Sequence, residues 1–143
     1  MSKANTFEND LLKLIFNATA IANLADNAAS SPVTNLYVSL HSADPGEAAD
    51  QTTNEVAYTG YARVAVARTT GGWTVTNSDV TNAAAITFPQ CTGGTATATH
   101  VAVGTDASGA GKVLYKGALA APLSISLGIQ PLFSAGALDI SED

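Results

Sequence analysis

Three short stretches of the chain place reactive side chains close enough to suggest chemistry. Ser39, His41 and Asp44 supply the residue types of a hydrolytic triad. A triad needs a base that reaches the nucleophile and a third group that orients the base. Residues two apart on a strand share one face of it and do not surround a substrate, and no Gly-x-Ser-x-Gly elbow lifts a serine into a cleft. The triad reading is set aside. The acidic stretch Asp44-Pro-Gly-Glu47, with Asp50 and Glu55, covers twelve residues from Asp44 to Glu55, the length of a calcium loop. Such a loop needs oxygen side chains at its third and fifth positions and Gly at its sixth, where this chain has Gly46, Ala48 and Ala49. A solvated acidic loop is the expectation. Ser108-Gly-Ala-Gly-Lys112 has the look of a phosphate loop, but Asp106 stands where the first Gly belongs and Val113 follows the lysine. It reads as a flexible hairpin tip.

The remaining reactive groups are isolated. His41 and His100 each fall in an expected strand on the side away from Val and Leu, as surface histidines; only folding could bring them together, with Asp44, into a metal site. Cys91 is the single cysteine, so neither an intrachain disulfide nor a thiolate cluster forms within one chain. Pro89-Gln-Cys-Thr-Gly93 holds no Lys, Arg or His to lower the thiol pKa, and an inert cysteine is expected. Trp73, after Gly71-Gly72, reads as an inward core residue and not a sugar-stacking platform. No catalytic residue, cofactor site or metal site is expected, and the chain is not read as an enzyme.

Positioning these residues falls to a helix and a series of strands. Phe7, Leu11, Leu14, Ile15, Ala18 and Ala22 recur at steps of three and four, an apolar stripe with Glu8, Asn9, Asp10, Lys13 and Asn17 elsewhere. Asn5 and Glu8 have the capping-box spacing, which predicts a start near Thr6. Leu12 and Phe16 fall off that stripe as a second apolar surface. Phe7, Leu11, Leu12 and Phe16 are therefore the candidate protein–protein contacts. Ala28-Ala-Ser-Ser-Pro32 reads as a linker.

From Asn35 onward the period is two: Leu36, Val38 and Leu40; Val64 and Val66; Trp73 and Val75. Ile86 with Phe88, Val101 with Val103, Val113 to Leu119, Leu123 to Leu127, Ile129 to Phe133, and Leu138 with Ile140 complete about eight strands. No second helix separates them, so pairing is antiparallel. The expected fold is mainly β: an antiparallel β-sandwich or jelly roll with an N-terminal helix. Residues 1–30 form a helical arm and 31–143 the β domain, within one compact domain.

Composition narrows function by exclusion. The formal charge of −6 leaves no basic face for nucleic acid, and Lys3, Lys13, Arg63, Arg68, Lys112 and Lys116 are scattered. No attraction to an anionic membrane is expected either. The charged residues within Met1–Phe16 are incompatible with a signal peptide or a membrane span, so a soluble protein is expected. Charged residues make up only 13% of the chain, against about 25% in a typical soluble domain, which suggests surface hidden by association.

The blocks Asn35-Leu-Tyr-Val-Ser-Leu-His-Ser-Ala-Asp-Pro45, Gly60-Tyr-Ala-Arg-Val64, Asn82-Ala-Ala-Ala-Ile-Thr-Phe-Pro89, Thr99-His-Val-Ala-Val-Gly104 and Gly111-Lys-Val-Leu-Tyr-Lys-Gly117 resemble, in order, small bacteriophage virion proteins of the tail fibre-like or capsid decoration (cement) type. The resemblance covers roughly residues 30 to 140. It implies a virion structural protein, made in the bacterial host cytoplasm, and carries no catalytic residues. Without heptads or repeats to build a shaft, the chain is expected to be a cement subunit on the outer capsid surface. Its partners would be the major capsid protein and further copies of itself, as a homodimer or homotrimer. The alternative is a tail fibre or tail-tip component that contacts the host through the loops Ser42 to Glu55 and Gly104 to Gly111.

Overall fold

A computed structural model of the chain describes residues 3–21, 24–25 and 32–142. Ala22 of the expected stripe and residues 28–31 of the expected linker lie outside the described residues. The fold is mainly β with one N-terminal helix. That helix is α1 (Asn5–Asn17), and the strands are β1 (Asn35–His41), β2 (Val64–Ala67), β3 (Trp73–Thr76), β4 (Asp79–Asn82), β5 (Ile86–Thr87), β6 (Ala96–Gly104), β7 (Val113–Ile125), β8 (Leu132–Phe133) and β9 (Asp139–Ser141). They form open sheets in the orders β2-β1-β6-β7, β3-β4-β9 and β5-β8. The described residues hold nine strands, against about eight expected. β4 is the addition, and Leu123 and Ile125 belong to β7, not to a strand of their own.

The chain divides into two compact units. One comprises Met1–Asn35, Val66–Ile86 and Phe133–Asp143; the other comprises Leu36–Ala65 and Thr87–Leu132.

In the first unit α1 packs on β3 and β4. Its start differs from the capping-box expectation. Ala4 is the N-cap, with no side-chain cap, and its carbonyl accepts from Phe7 N at 2.8 Å and Glu8 N at 3.1 Å. At the other end Ala18 adopts a left-handed conformation (φ 53°) and its N–H returns to the Lys13 carbonyl. No basic residue occupies the last turn, yet two of its carbonyls, Leu14 O and Ile15 O, find a charged donor. Arg68 donates from Nη2 to Leu14 O at 2.7 Å, from Nε to Ile15 O at 2.6 Å and from Nη1 to Val33 O at 2.6 Å. A distant arginine thus does the work of a basic C-terminal turn, and its desolvation lowers its pKa.

The buried helix face is Glu8, Leu12 and Phe16, not the stripe through Phe7, Leu11 and Leu14. Leu12 and Phe16 are fully buried, and the Phe16 ring meets Trp73 edge to face at 4.8 Å. Trp73, Val80, Ile86 and Leu138 complete this core. The surface expected to be spare for docking is therefore the one the chain uses itself: steps of four from Glu8 point at the β3–β4 hairpin. Phe7, 38% exposed, and the half-buried Leu11 are the docking candidates left outside the core. Asn82 ties the unit together, donating to Ala84 O and Ser134 O and accepting from Leu138 N, each at 2.8 Å.

In the second unit the core is built on β1 and β6, paired antiparallel from Tyr37↔Gly104 to His41↔His100. Leu36, Val38, Leu40, Val101 and Val103 supply one side, and Val56, Tyr58, Phe88, Cys91 and Ile125 are buried with them. β6 continues into β7 as a hairpin. Its ladder skips between Ala98↔Leu123 and His100↔Ala118, so Leu119–Pro122 bulge opposite the single residue Thr99.

Candidate functional site: two interlocked loops

The second unit brings together the two loops singled out in the sequence. Arg63, placed just before β2, is at their junction. Its side chain is 3% exposed, unlike a scattered surface charge. Nε reaches Glu55 Oε1 at 2.7 Å and Nη2 reaches Oε2 at 2.8 Å, a two-pronged pair. The remaining donors cross to the hairpin tip: Nη1 to Asp106 O at 2.9 Å and Nη2 to Gly109 O at 2.8 Å. Hydrogen bonding to Glu55 raises the Arg63 pKa. Tyr61 completes the junction, donating to Glu55 Oε1 at 2.9 Å and accepting from Leu40 N at 3.1 Å. Burial pushes its phenol pKa upward.

Gln51 provides a second lock. Its backbone N–H donates to Ala110 O at 2.6 Å, and its Oε1 accepts from Asp106 N at 2.9 Å. The side chain is fully buried against Gly104 and Gly111. A Cβ on Gly104 would overlap Gln51 Cδ and Nε2, and one on Gly111, whose φ is +50°, would overlap Oε1. Glycine at both positions is the condition for this close approach. The hairpin tip, expected to be flexible, is therefore fastened at Asp106, Gly109 and Ala110. Ala107 and Ser108 stand between these fastenings, and residues 106–110 remain exposed.

The first loop is stiffened along its own length. Asp44 accepts from Gly46 N at 2.8 Å, its carbonyl accepts from Asn54 Nδ2 at 3.0 Å, and Asp50 accepts from Thr52 N at 2.8 Å. Lys116 of β7 pairs with Asp44 at 3.0 Å and Glu47 at 2.9 Å. The Gly46 N–H and then Lys116 hold the Asp44 pKa below its ordinary value, while Glu47 and Asp44 raise that of Lys116. Of the four acids of the candidate calcium loop, Asp44 and Glu47 thus share Lys116, Asp50 accepts from Thr52 and Glu55 pairs with Arg63. Among the described residues no group of three or more His, Cys, Asp or Glu is disposed to hold a metal ion.

The apparent triad resolves into a structural chain. Ser39 Oγ and His41 Nε2 lie 2.9 Å apart, and His41 Nδ1 lies 2.8 Å from Thr53 O, not from Asp44. Burial lowers the His41 pKa and so favours a neutral ring, which donates from Nδ1 to the carbonyl and accepts the Ser39 hydroxyl at Nε2. Both side chains are 0% exposed, leaving no path for a substrate. His41 is therefore not the surface residue expected: β1 is covered on both faces toward its end. His41 and His100 do occupy paired positions across β1 and β6.

Cys91 is buried, and Trp73 and Tyr58 are core residues, which removes them as a sugar-stacking surface. Arg63 and Gln51 were the functional residues least visible beforehand. One signal was the rarity of Arg in a charge-poor β chain; Gln51 carries none.

No curated protein matches the chain. The family described as podophage GP4 fiber I protein gp80 (Gp80) matches residues 2–141. This match covers nearly the whole length, and the chain belongs to the Gp80 family of bacteriophage fiber proteins, structural components of the virion.

Proposed function

We propose that the chain is a tail fibre or tail-tip component that contacts the host surface, and that the loops Ser42 to Glu55 and Gly104 to Gly111 form the contact. The single observation that supports this is the double lock of Arg63 and Gln51. Recognition surfaces gain affinity when they are ordered before binding, because little conformational entropy is lost on association. Here two polar loops are held to one another while Ala107, Ser108 and Ala110 remain exposed. The fibre family membership favours this reading over capsid cement. Leu12 and Phe16, two of the four candidate contacts on the helix, are occupied by the chain's own core.

The test is binding of the fluorescently labelled protein to host cells, with Ser108→Trp at the exposed tip and Asp79→Lys in the other unit as a control. Saturable binding lost with Ser108→Trp and kept with Asp79→Lys supports the proposal. No binding to cells, together with many symmetric copies on phage heads by cryo-electron microscopy, returns the cement reading to first place.

A further inference from the structure

The first unit carries an open groove of about 540 Å³ that no part of the loop reading uses. One wall is the outward side of α1, with Asn5, Thr6, Asn9, Asp10 and Lys13; the other is the β3–β4 turn, Asn77 and Ser78. The walls are fixed relative to each other. Asn9 Nδ2 donates to Asn77 O at 2.8 Å, and Asn77 holds the turn with a left-handed φ of +56°. Behind them α1 is anchored by the fully buried Leu12 and Phe16. The groove is therefore built into a packed hairpin and helix.

Its chemistry is specific. Among the described residues every one that lines it is polar, and none is aromatic or aliphatic. The Asp10 carboxylate and the Lys13 ammonium balance, so the groove has no net charge to favour an anion or a cation. Amides, hydroxyls, an ammonium and a carboxylate together offer both donors and acceptors, which the hydroxyls of a polyol can satisfy. From this lining we infer a binding site for a neutral saccharide, held by hydrogen bonds and not by ring stacking. A charged polysaccharide would leave one of Asp10 and Lys13 facing like charge; an apolar segment would strand the polar lining.

The probe is an array of defined neutral oligosaccharides, hexose, deoxyhexose and N-acetylhexosamine, with anionic saccharides alongside, read with the whole purified chain. The variants Thr6→Val, Asp10→Ala and Ser78→Trp alter the exposed or half-exposed lining without touching the core, and their circular dichroism and melting temperature should match wild type. Expected is binding of at least one neutral oligosaccharide, weakened tenfold or more by Asp10→Ala, abolished by Ser78→Trp and unchanged by Ser108→Trp. Binding of no neutral saccharide, binding of anionic saccharides alone, or neutral binding indifferent to the groove variants overturns the assignment. Loss with Ser108→Trp alone would assign the sugar to the loops instead, which separates failure of this site from failure of the loop proposal.

Discussion

Arg63 and Glu55 form a two-pronged ion pair at 2.7 and 2.8 Å, with the arginine side chain almost wholly out of solvent. Removing one member of such a pair strands the other, at a cost of about 3–5 kcal/mol. Arg63→Met is therefore expected to lower the urea midpoint strongly. Arg63→Met combined with Glu55→Leu should recover much of that loss, because neither charge is then left buried. Amide exchange at residues 107–109 should be faster in the double variant than in wild type, since the donors to Asp106 O and Gly109 O are gone. Exchange unchanged from wild type would show that Gln51 orders the tip without Arg63.

Gly104 and Gly111 both pack against Gln51. Gly104→Ala should destabilise by about 1–3 kcal/mol, the usual cost of overfilling a packed site. Gly117→Ala, where a methyl meets nothing within 4 Å, should be near neutral. In a Gln51→Ala background the Gly104→Ala penalty should shrink, a coupling that a double-mutant cycle by chemical denaturation reads directly. An undiminished penalty would place the strain in the backbone of β6.

His41 gives the protein a distinct acid response. Burial holds its imidazole below the ordinary pKa of 6.5; the Thr53 carbonyl and Glu55 raise it, and Arg63 and His100 lower it. The unfolded ring takes up a proton near 6.5 and the folded ring only at lower pH, so the unfolded chain binds more protons in between. Stability should then fall as pH drops from about 6.5 and level off once both forms are protonated. Asp44 and Asp50, held below their ordinary 3.8, add their losses only in the more acidic range. NMR titration should put the His41 midpoint below that of free histidine; a midpoint at or above 6.5 would contradict a neutral buried ring.

Phe16 and Phe7 lie on the same helix with opposite expectations. Phe16→Ala removes a fully buried ring from contact with Trp73 and should cost about 3–5 kcal/mol. Phe7→Ala, at a 38% exposed position, should stay within about 0.5 kcal/mol. Thermal melts of the two variants check the assignment of the core face.

The β character, the helix and most strand positions are legible in the sequence because Leu36, Val38, Leu40, Trp73 and Val75 alternate cleanly. β4 is not, since Asp79-Val-Thr-Asn82 has one apolar residue and is held by pairing on both sides, by β3 and β9. The helix misleads because Leu12 and Phe16 are only two residues among a larger apolar set. Which set faces inward is decided by the β3–β4 hairpin, a contact between segments more than fifty positions apart. At the interlocked loops, sequence spacing identifies both loops but not their fastening. Arg63 gains its partners at Asp106 and Gly109 only through contacts more than forty positions apart in the chain, and Gln51 shows no pattern at all.

The bulge at Leu119–Pro122 sets a limit on growth. β7 is the outer strand of the four-stranded sheet, where an unpaired ladder invites a neighbour to add on. Four residues crowded opposite Thr99, one of them a proline without an N–H, break the regular spacing an incoming strand must match. Runaway edge-to-edge stacking is thereby checked by geometry instead of by charge, which a chain this poor in Lys and Glu has little of to deploy. A virion subunit needs that restraint: it must join a particle of fixed copy number, not seed a filament.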